Sequence, residues 1–259
     1  MHLRLLPLPL LLLVLSGCSK RAEDSTALLA QVRQRLAARD GRLTSYQLAG
    51  TTSEGEVTLE FTFAWRSPQR MLATLGAPVS RAFAWDGEHL YERSDTDKRF
   101  TTFRDELPAD KRAGFLTETF GPFVPEGFRA PLLPGQGVSV RRVSHALAPE
   151  AVELTVRPEG AGDVEVTYVL RWPSLDFLGK RARADGTRSE VRVAQEQCEQ
   201  ALSLCVPRRL TQWADGQQVG ETTLDRVELN PTLPADTFTL VAPEGYEIQQ
   251  RTLVEAAAR

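Results

Sequence analysis

The chain has 259 residues, with 31 lysines and arginines against 34 aspartates and glutamates and a formal net charge of −3. So close a balance offers no field to hold nucleic acid, and the arginines are scattered without forming a basic block. Residues 19–259 are enough for one sizeable core or two small ones.

The N-terminus, Met1-His2-Leu3-Arg4, is weakly basic and is followed by an apolar run from Leu5 to Leu15, interrupted by Pro7 and Pro9. That run is too short to cross a bilayer as a helix, which takes roughly twenty residues. A basic start, a short apolar stretch and then small residues form a secretory signal pattern. Leu15-Ser16-Gly17-Cys18 resembles the bacterial lipobox. The resemblance implies cleavage before Cys18, a diacylglyceryl group on that cysteine, and a chain tethered to a membrane surface. Residues 1–17 are then a signal peptide and 18–24 a lipidated tether. With Cys18 taken by lipid, Cys198 and Cys205 remain as an even pair. In an oxidising compartment they are expected to form a disulfide, worth roughly 2–3 kcal/mol, the alternative being two free thiols.

Asp24 or Ser25 can cap a helix whose apolar residues Leu28, Leu29, Val32 and Leu36 recur at helical spacing. Gly41 is placed to end it in the left-handed conformation common after helices. From Glu56 to Trp65 the alternation is complete, with Val57, Leu59, Phe61, Phe63 and Trp65 on one face of a strand. Strands follow at Arg70–Leu75, through Phe83 and Trp85, and back through Leu90 and Tyr91 after Asp86-Gly87, which reads as a type I′ hairpin turn. Another turn at Asp95–Lys98 leads to Phe100 and Phe103.

Lys111–Phe120 fits a short helix carrying Phe115, Leu116 and Phe120, and residues 121–137 read as a Pro- and Gly-rich loop. Strands resume after Val138, the clearest from Asp163 to Trp172 with Tyr168 on its apolar face. More are expected near 175–184, 188–197, 206–214, 218–229 and 237–242. The connections suit antiparallel neighbours, and no helix intervenes as a βαβ unit would require. The fold class is therefore mainly β with a few helices: a curved antiparallel half-barrel sheet whose concave face the helices cover. Residues 25–248 are read as one such domain and 249–259 as a C-terminal tail.

Nucleophile elbows, phosphate loops, dinucleotide fingerprints and zinc-protease motifs are absent from the sequence. His89 and His145 stand far apart, so neither a metal site nor a cofactor is expected. Asp86, Glu88 and His89 read as turn and rim residues, although a carboxylate pair elsewhere stays open. What remains is apolar surface. Phe61, Phe63, Trp65, Met71, Phe83, Trp85, Tyr91 and Tyr168 either line a groove for acyl chains or form ordinary core beneath the helices. Alternation does not choose between the two.

Trp65-Arg66-Ser67-Pro68-Gln69-Arg70-Met71, Gly76-Ala77-Pro78 and Trp85-Asp86-Gly87-Glu88-His89-Leu90-Tyr91 are similar to the central part of the LolA/LolB-like lipoprotein carriers. The stretch Leu233–Tyr246 resembles that family's closing strand, and Tyr46 sits where the family often has an aromatic. The resemblance implies a non-enzymatic half-barrel that holds acyl chains or lipoproteins, with Phe115, Leu116 and Phe120 in a lid. A lipobox places the chain nearer the anchored acceptor, in the bacterial cell envelope at the outer membrane, facing the periplasm. Related half-barrels resemble envelope-stress regulators, so a scaffold module binding an envelope protein partner is the alternative. The Cys198–Cys205 segment has no counterpart in the family pattern.

Overall fold

The computed structural model describes residues 25–128, 137–158, 160 and 162–254. Cys18, the signal segment, the tether with Asp24, and the middle of the Pro- and Gly-rich loop lie outside the described residues. Helix α1 (Ser25–Asp40) buries Leu28, Val32 and Leu36, a stripe with one residue per turn. Gly41 follows it and its N–H bonds the Ala37 carbonyl at 3.0 Å, but without the left-handed φ expected of it.

Six strands come next: β1 (Ser45–Glu54), β2 (Val57–Arg66), β3 (Arg70–Leu75), β4 (Arg81–Trp85), β5 (His89–Ser94) and β6 (Arg99–Arg104). Helix α2 (Ala109–Phe120) and a 3-10 turn (Gly121–Phe123) separate them from β7 (Val138–His145), β8 (Ala148–Val156), β9 (Glu165–Arg171) and β10 (Phe177–Ala184). The chain continues through β11 (Thr187–Glu199), β12 (Leu204–Ala214), β13 (Gln217–Leu229) and β14 (Glu247–Thr252). All join one open 14-stranded sheet, ordered β14-β6-β5-β4-β3-β2-β1-β13-β12-β11-β10-β9-β8-β7. It is two antiparallel meanders fused where β1 pairs β13. Among the described residues, the one parallel pairing is β14 with β6.

Both helices lie on the same face, here the inner face. Beneath α1, Val140, Leu154, Leu170, Phe177 and Leu210 close around Leu28, Val32 and Leu36. Beneath α2, Phe61, Phe63, Trp85 and Phe103 close around Leu116 and Phe120. The strand register carries both clusters on one side. Phe61 opposes Gly50, which leads through Leu224 and Thr222 to Leu210.

Two hairpins keep the turn chemistry expected of Asp-Gly. Asp185-Gly186 and Asp215-Gly216 have positive φ at both residues, the requirement of a type I′ turn. Asp86-Gly87 does not. Only Gly87 has positive φ (108°), and the Asp86 N–H bonds the His89 carbonyl, so the tight turn is centred on Gly87-Glu88.

The C-terminal third departs from expectation. Residues 237–242 are not a strand: Ala235–Phe238 is a 3-10 turn, and the closing strand is β14, four residues beyond Pro243. Residues 249–252, expected in a tail, are therefore part of the sheet. Cys198 and Cys205 face each other across β11 and β12 and are joined by a disulfide.

Candidate functional site

The inner face of β2–β6 is built by cross-strand register. Tyr46, Trp65, Met71, Trp85, Leu90 and Phe103 form one continuous row across six strands. Leu48, Phe63, Ala73 and Phe83 form the next row. Because strand side chains alternate between faces, each row places its members directly side by side. Tyr46 stacks on Trp65 at 5.3 Å and Phe63 at 5.9 Å between ring centres. Phe83 stacks on Phe123 at 5.4 Å.

Helix α2 lies over these rows. Phe63, Trp85, Leu116 and Phe120 are buried to 2% exposure or less, and Phe61 is buried beside them. Trp65, Met71, Phe83 and Phe115 are half-buried at the margin of the same cluster. The face is filled by its own side chains, with an apolar rim. Of the two readings open at the level of sequence, the centre is core and the rim is partly open.

Two of the expected residues sit elsewhere. Tyr91 pairs with Ala84, not Trp85, so it projects from the outer face. Alternation places neighbours in sequence on opposite faces, and Leu90 takes the inner position. Tyr168 shares the inner face but belongs to the cluster under α1, with the Lys180 ammonium 5.8 Å from its ring centre. Three more residues join the site, of which the family resemblance marks only Tyr46. Tyr46 lies at its centre, and Phe123 and Phe128 come from the irregular loop after α2, where no periodicity marks them.

That loop is pinned over the seam between the two clusters. The buried Arg39 guanidinium donates to the Gly127 carbonyl at 2.9 Å, and Lys180 pairs with Glu126 at 2.8 Å. Gly127 has φ of 91°, and a Cβ there would lie 2.7 Å from the Pro207 ring. Only glycine permits so close a passage.

On the outer face, Asp86 organises its hairpin. Its Oδ1 accepts from the Glu88 and His89 backbone N–H groups at 2.8 and 2.7 Å, and Oδ2 accepts from the Tyr91 hydroxyl at 2.8 Å. Burial alone would raise the Asp86 carboxyl, but these donors and the nearby His89 imidazole together hold it below its ordinary value. Burial, then the hydrogen bond to Asp86, pushes the Tyr91 phenol up to about 12. A carboxylate with both oxygens engaged, beside a phenol held in its protonated form, is a turn clamp and not an acid–base pair.

Among the described residues, Glu196, Cys198 and Cys205 bring ligand-type atoms within 4.8 Å of one another. The sulfurs are consumed by the disulfide, and Glu196 takes the Arg171 guanidinium at 2.7 Å. The residues present do not fit a metal ion.

The described residues form an open, almost wholly antiparallel sheet with both helices gathered on one apolar face. No protein-family model matches the sequence, nor does any curated protein. Solved structures do match. An outer membrane lipoprotein-sorting protein domain from Vibrio parahaemolyticus covers 81% of this chain and 95% of its own, at 9% identity and TM-score 0.55. A DUF1329 family protein from Desulfovibrio piger covers 81% of this chain and 96% of its own, at 9% identity and TM-score 0.53. A LolA superfamily protein from Nitrosomonas europaea matches at 13% identity over 81% of this chain and 97% of its own, with TM-score 0.47. At these identities the likeness is one of fold.

Proposed function

We propose that the protein is a lipid-anchored, non-enzymatic carrier of the bacterial envelope that takes acyl chains, or the acylated ends of lipoproteins, against the inner face beneath α2. The observation that carries this reading is the apolar rim: Trp65, Met71, Phe83 and Phe115 remain half-buried around a fully packed centre. Apolar side chains left partly open together at the edge of one cluster can form the mouth of an apolar binding face. Uptake requires α2 and the loop through Phe128 to lift, which breaks the Arg39–Gly127 and Lys180–Glu126 contacts. The fold likeness to a lipoprotein-sorting domain and a disulfide suited to an oxidising compartment support the same reading.

The test is uptake of a fluorescent fatty-acyl probe by the purified protein. Phe83→Asp is expected to abolish uptake while leaving the fold intact, because Phe83 lies at the rim. Trp85 is unsuited to this test, since a charge at a site 2% exposed would unfold the sheet. Wild-type protein that ignores the probe, or Phe83→Asp protein that still binds it, overturns the reading.

Anchoring is tested separately. The Cys18→Ser chain is expected to leave the membrane fraction for the soluble periplasmic extract, read by immunoblot of fractionated cells. A variant that stays membrane-bound removes the anchor from the proposal.

A further inference from the structure

The outer face of β7–β12 carries a second concavity of a different character. It is a cleft of about 1180 Å³ lined by charged and polar side chains, with Trp213 at one side. Cross-strand partners Ser139, Thr155, Thr167, Arg181, Glu190 and Trp213 form a row across it. Thr167 precedes the inward-facing Tyr168, so the row faces away from both helices.

The carboxylates of the cleft are already engaged. Glu153 is shared between Arg141 and Arg181. Glu165 accepts from Arg157 at 2.7 Å, and Glu190 pairs with Arg192 at 2.6 Å. Asp215 accepts the Arg188 backbone N–H at 3.0 Å.

Arg183 and Arg188 are left over. They are direct partners on β10 and β11, on either side of the Asp185-Gly186 turn, and both line the cleft. Among the described residues neither guanidinium has a carboxylate partner. Like charges placed directly opposite destabilise a hairpin, so the pair works against the fold. The type I′ turn nevertheless fixes the two arms at one separation. Planar guanidinium forks suit the paired oxygens of a phosphate, and an anion between them removes the repulsion. The charged lining excludes an acyl chain as the occupant, which separates this cleft from the apolar face beneath α2.

We propose that this cleft is an anion site in which Arg183 and Arg188 jointly hold a phosphate group. The phosphate belongs either to a lipid headgroup at a membrane surface or to a soluble phosphoester.

Two measurements on the full-length chain decide it. Calorimetric titration with inorganic phosphate, and flotation on phosphatidylcholine vesicles with and without phosphatidylglycerol, are compared for wild type and Arg183→Ala/Arg188→Ala. Both arginines are exposed, so the double variant is expected to keep the wild-type circular dichroism. Phosphate affinity, or the extra binding conferred by phosphatidylglycerol, is expected to fall by roughly tenfold or more, the weight of a lost charge-assisted contact. A loss confined to the vesicle arm assigns a headgroup, and one confined to the phosphate arm assigns a soluble phosphoester. A double variant that matches wild type in both arms overturns the proposal. Acyl-probe uptake reads the opposite face, so its outcome does not prejudge this one.

Discussion

Gly50→Ala is expected to lower the free energy of unfolding by about 3 kcal/mol or more, at the top of the range for overpacking. β1 is the seam of the molecule, pairing with β2 on one side and β13 on the other. At Gly50 the register with β13 slips: Ala49 opposes Arg226, whereas Gly50 opposes Leu224. The bulge draws the two backbones together. A Cβ on residue 50 would lie 2.0 Å from the Thr223 carbonyl oxygen and 3.0 Å from the Leu224 Cα. Both are backbone atoms of a paired strand and cannot swing aside as a side chain would. Accommodating a methyl group means parting β1 from β13, where the inner-face packing of Leu48 meets Leu224 and Val227. Urea unfolding should show a lower midpoint with an unchanged slope. A loss below about 1 kcal/mol would sink this account, since ordinary adjustments would then have absorbed the methyl.

That same strand shows where sequence reading reaches its limit. Ser45–Glu54 carries Tyr46 and Leu48 on the inner face, but Gly50, Thr52 and Glu54 complete that parity with no apolar signal. A central strand can afford glycine and threonine where backbones crowd together, and periodicity then fades. By contrast, β2 reads clearly because apolar and polar residues alternate from Val57 onward, although only its second half packs: Phe61 and Phe63 are buried while Val57 is exposed. α1 and α2 were legible for the same reason, their buried residues recurring at the helical period. The closing strand lies further along the chain than the spacing near 237–242 predicts, because Phe238 anchors a 3-10 turn. Isolated burial and strand alternation look alike in so short a stretch.

The candidate site was legible in the same uneven way. Phe61, Phe63, Trp65, Met71, Phe83 and Trp85 share a face because they lie on clearly alternating strands, and Phe115, Leu116 and Phe120 meet them from α2. A two-residue turn pairs odd with even positions, so Leu90 shares the face of Phe83 and Trp85 whether the turn is centred on Asp86-Gly87 or on Gly87-Glu88. Tyr91 is aromatic but falls on the opposite face, which residue type does not reveal and strand parity does. The arginine pair left no signal in spacing at all. Its meaning appears only when the ion-pair partners of every neighbouring acid are known.

Phe238→Ala is expected to cost about 3–5 kcal/mol, as for other fully buried aromatics, and to act first on the C-terminal segment. After β13 the chain must travel from the middle of the sheet to its far edge, where β14 pairs with β6. It crosses the outer face. Arg66, which alternates with the inward Trp65, places its guanidinium 5.1 Å over the Phe238 ring and donates to the Leu233 carbonyl at 3.3 Å. Phe238 itself is 0% exposed, and the Tyr246 hydroxyl donates to Asp95 at 2.8 Å further along. Leu253, also 0% exposed, then joins the inner-face cluster at the far end of β14. The segment is thus fastened at both faces of the sheet, with Phe238 as the larger apolar anchor. Losing it should raise hydrogen exchange in residues 233–252 ahead of β8 and β9, which belong to the other cluster. Opening of this segment also uncovers the β6 edge, whose unpaired backbone groups would promote self-association. Exchange that rises evenly across the whole sheet would show instead that β14 opens only with global unfolding, and that Phe238 has no local role in holding it.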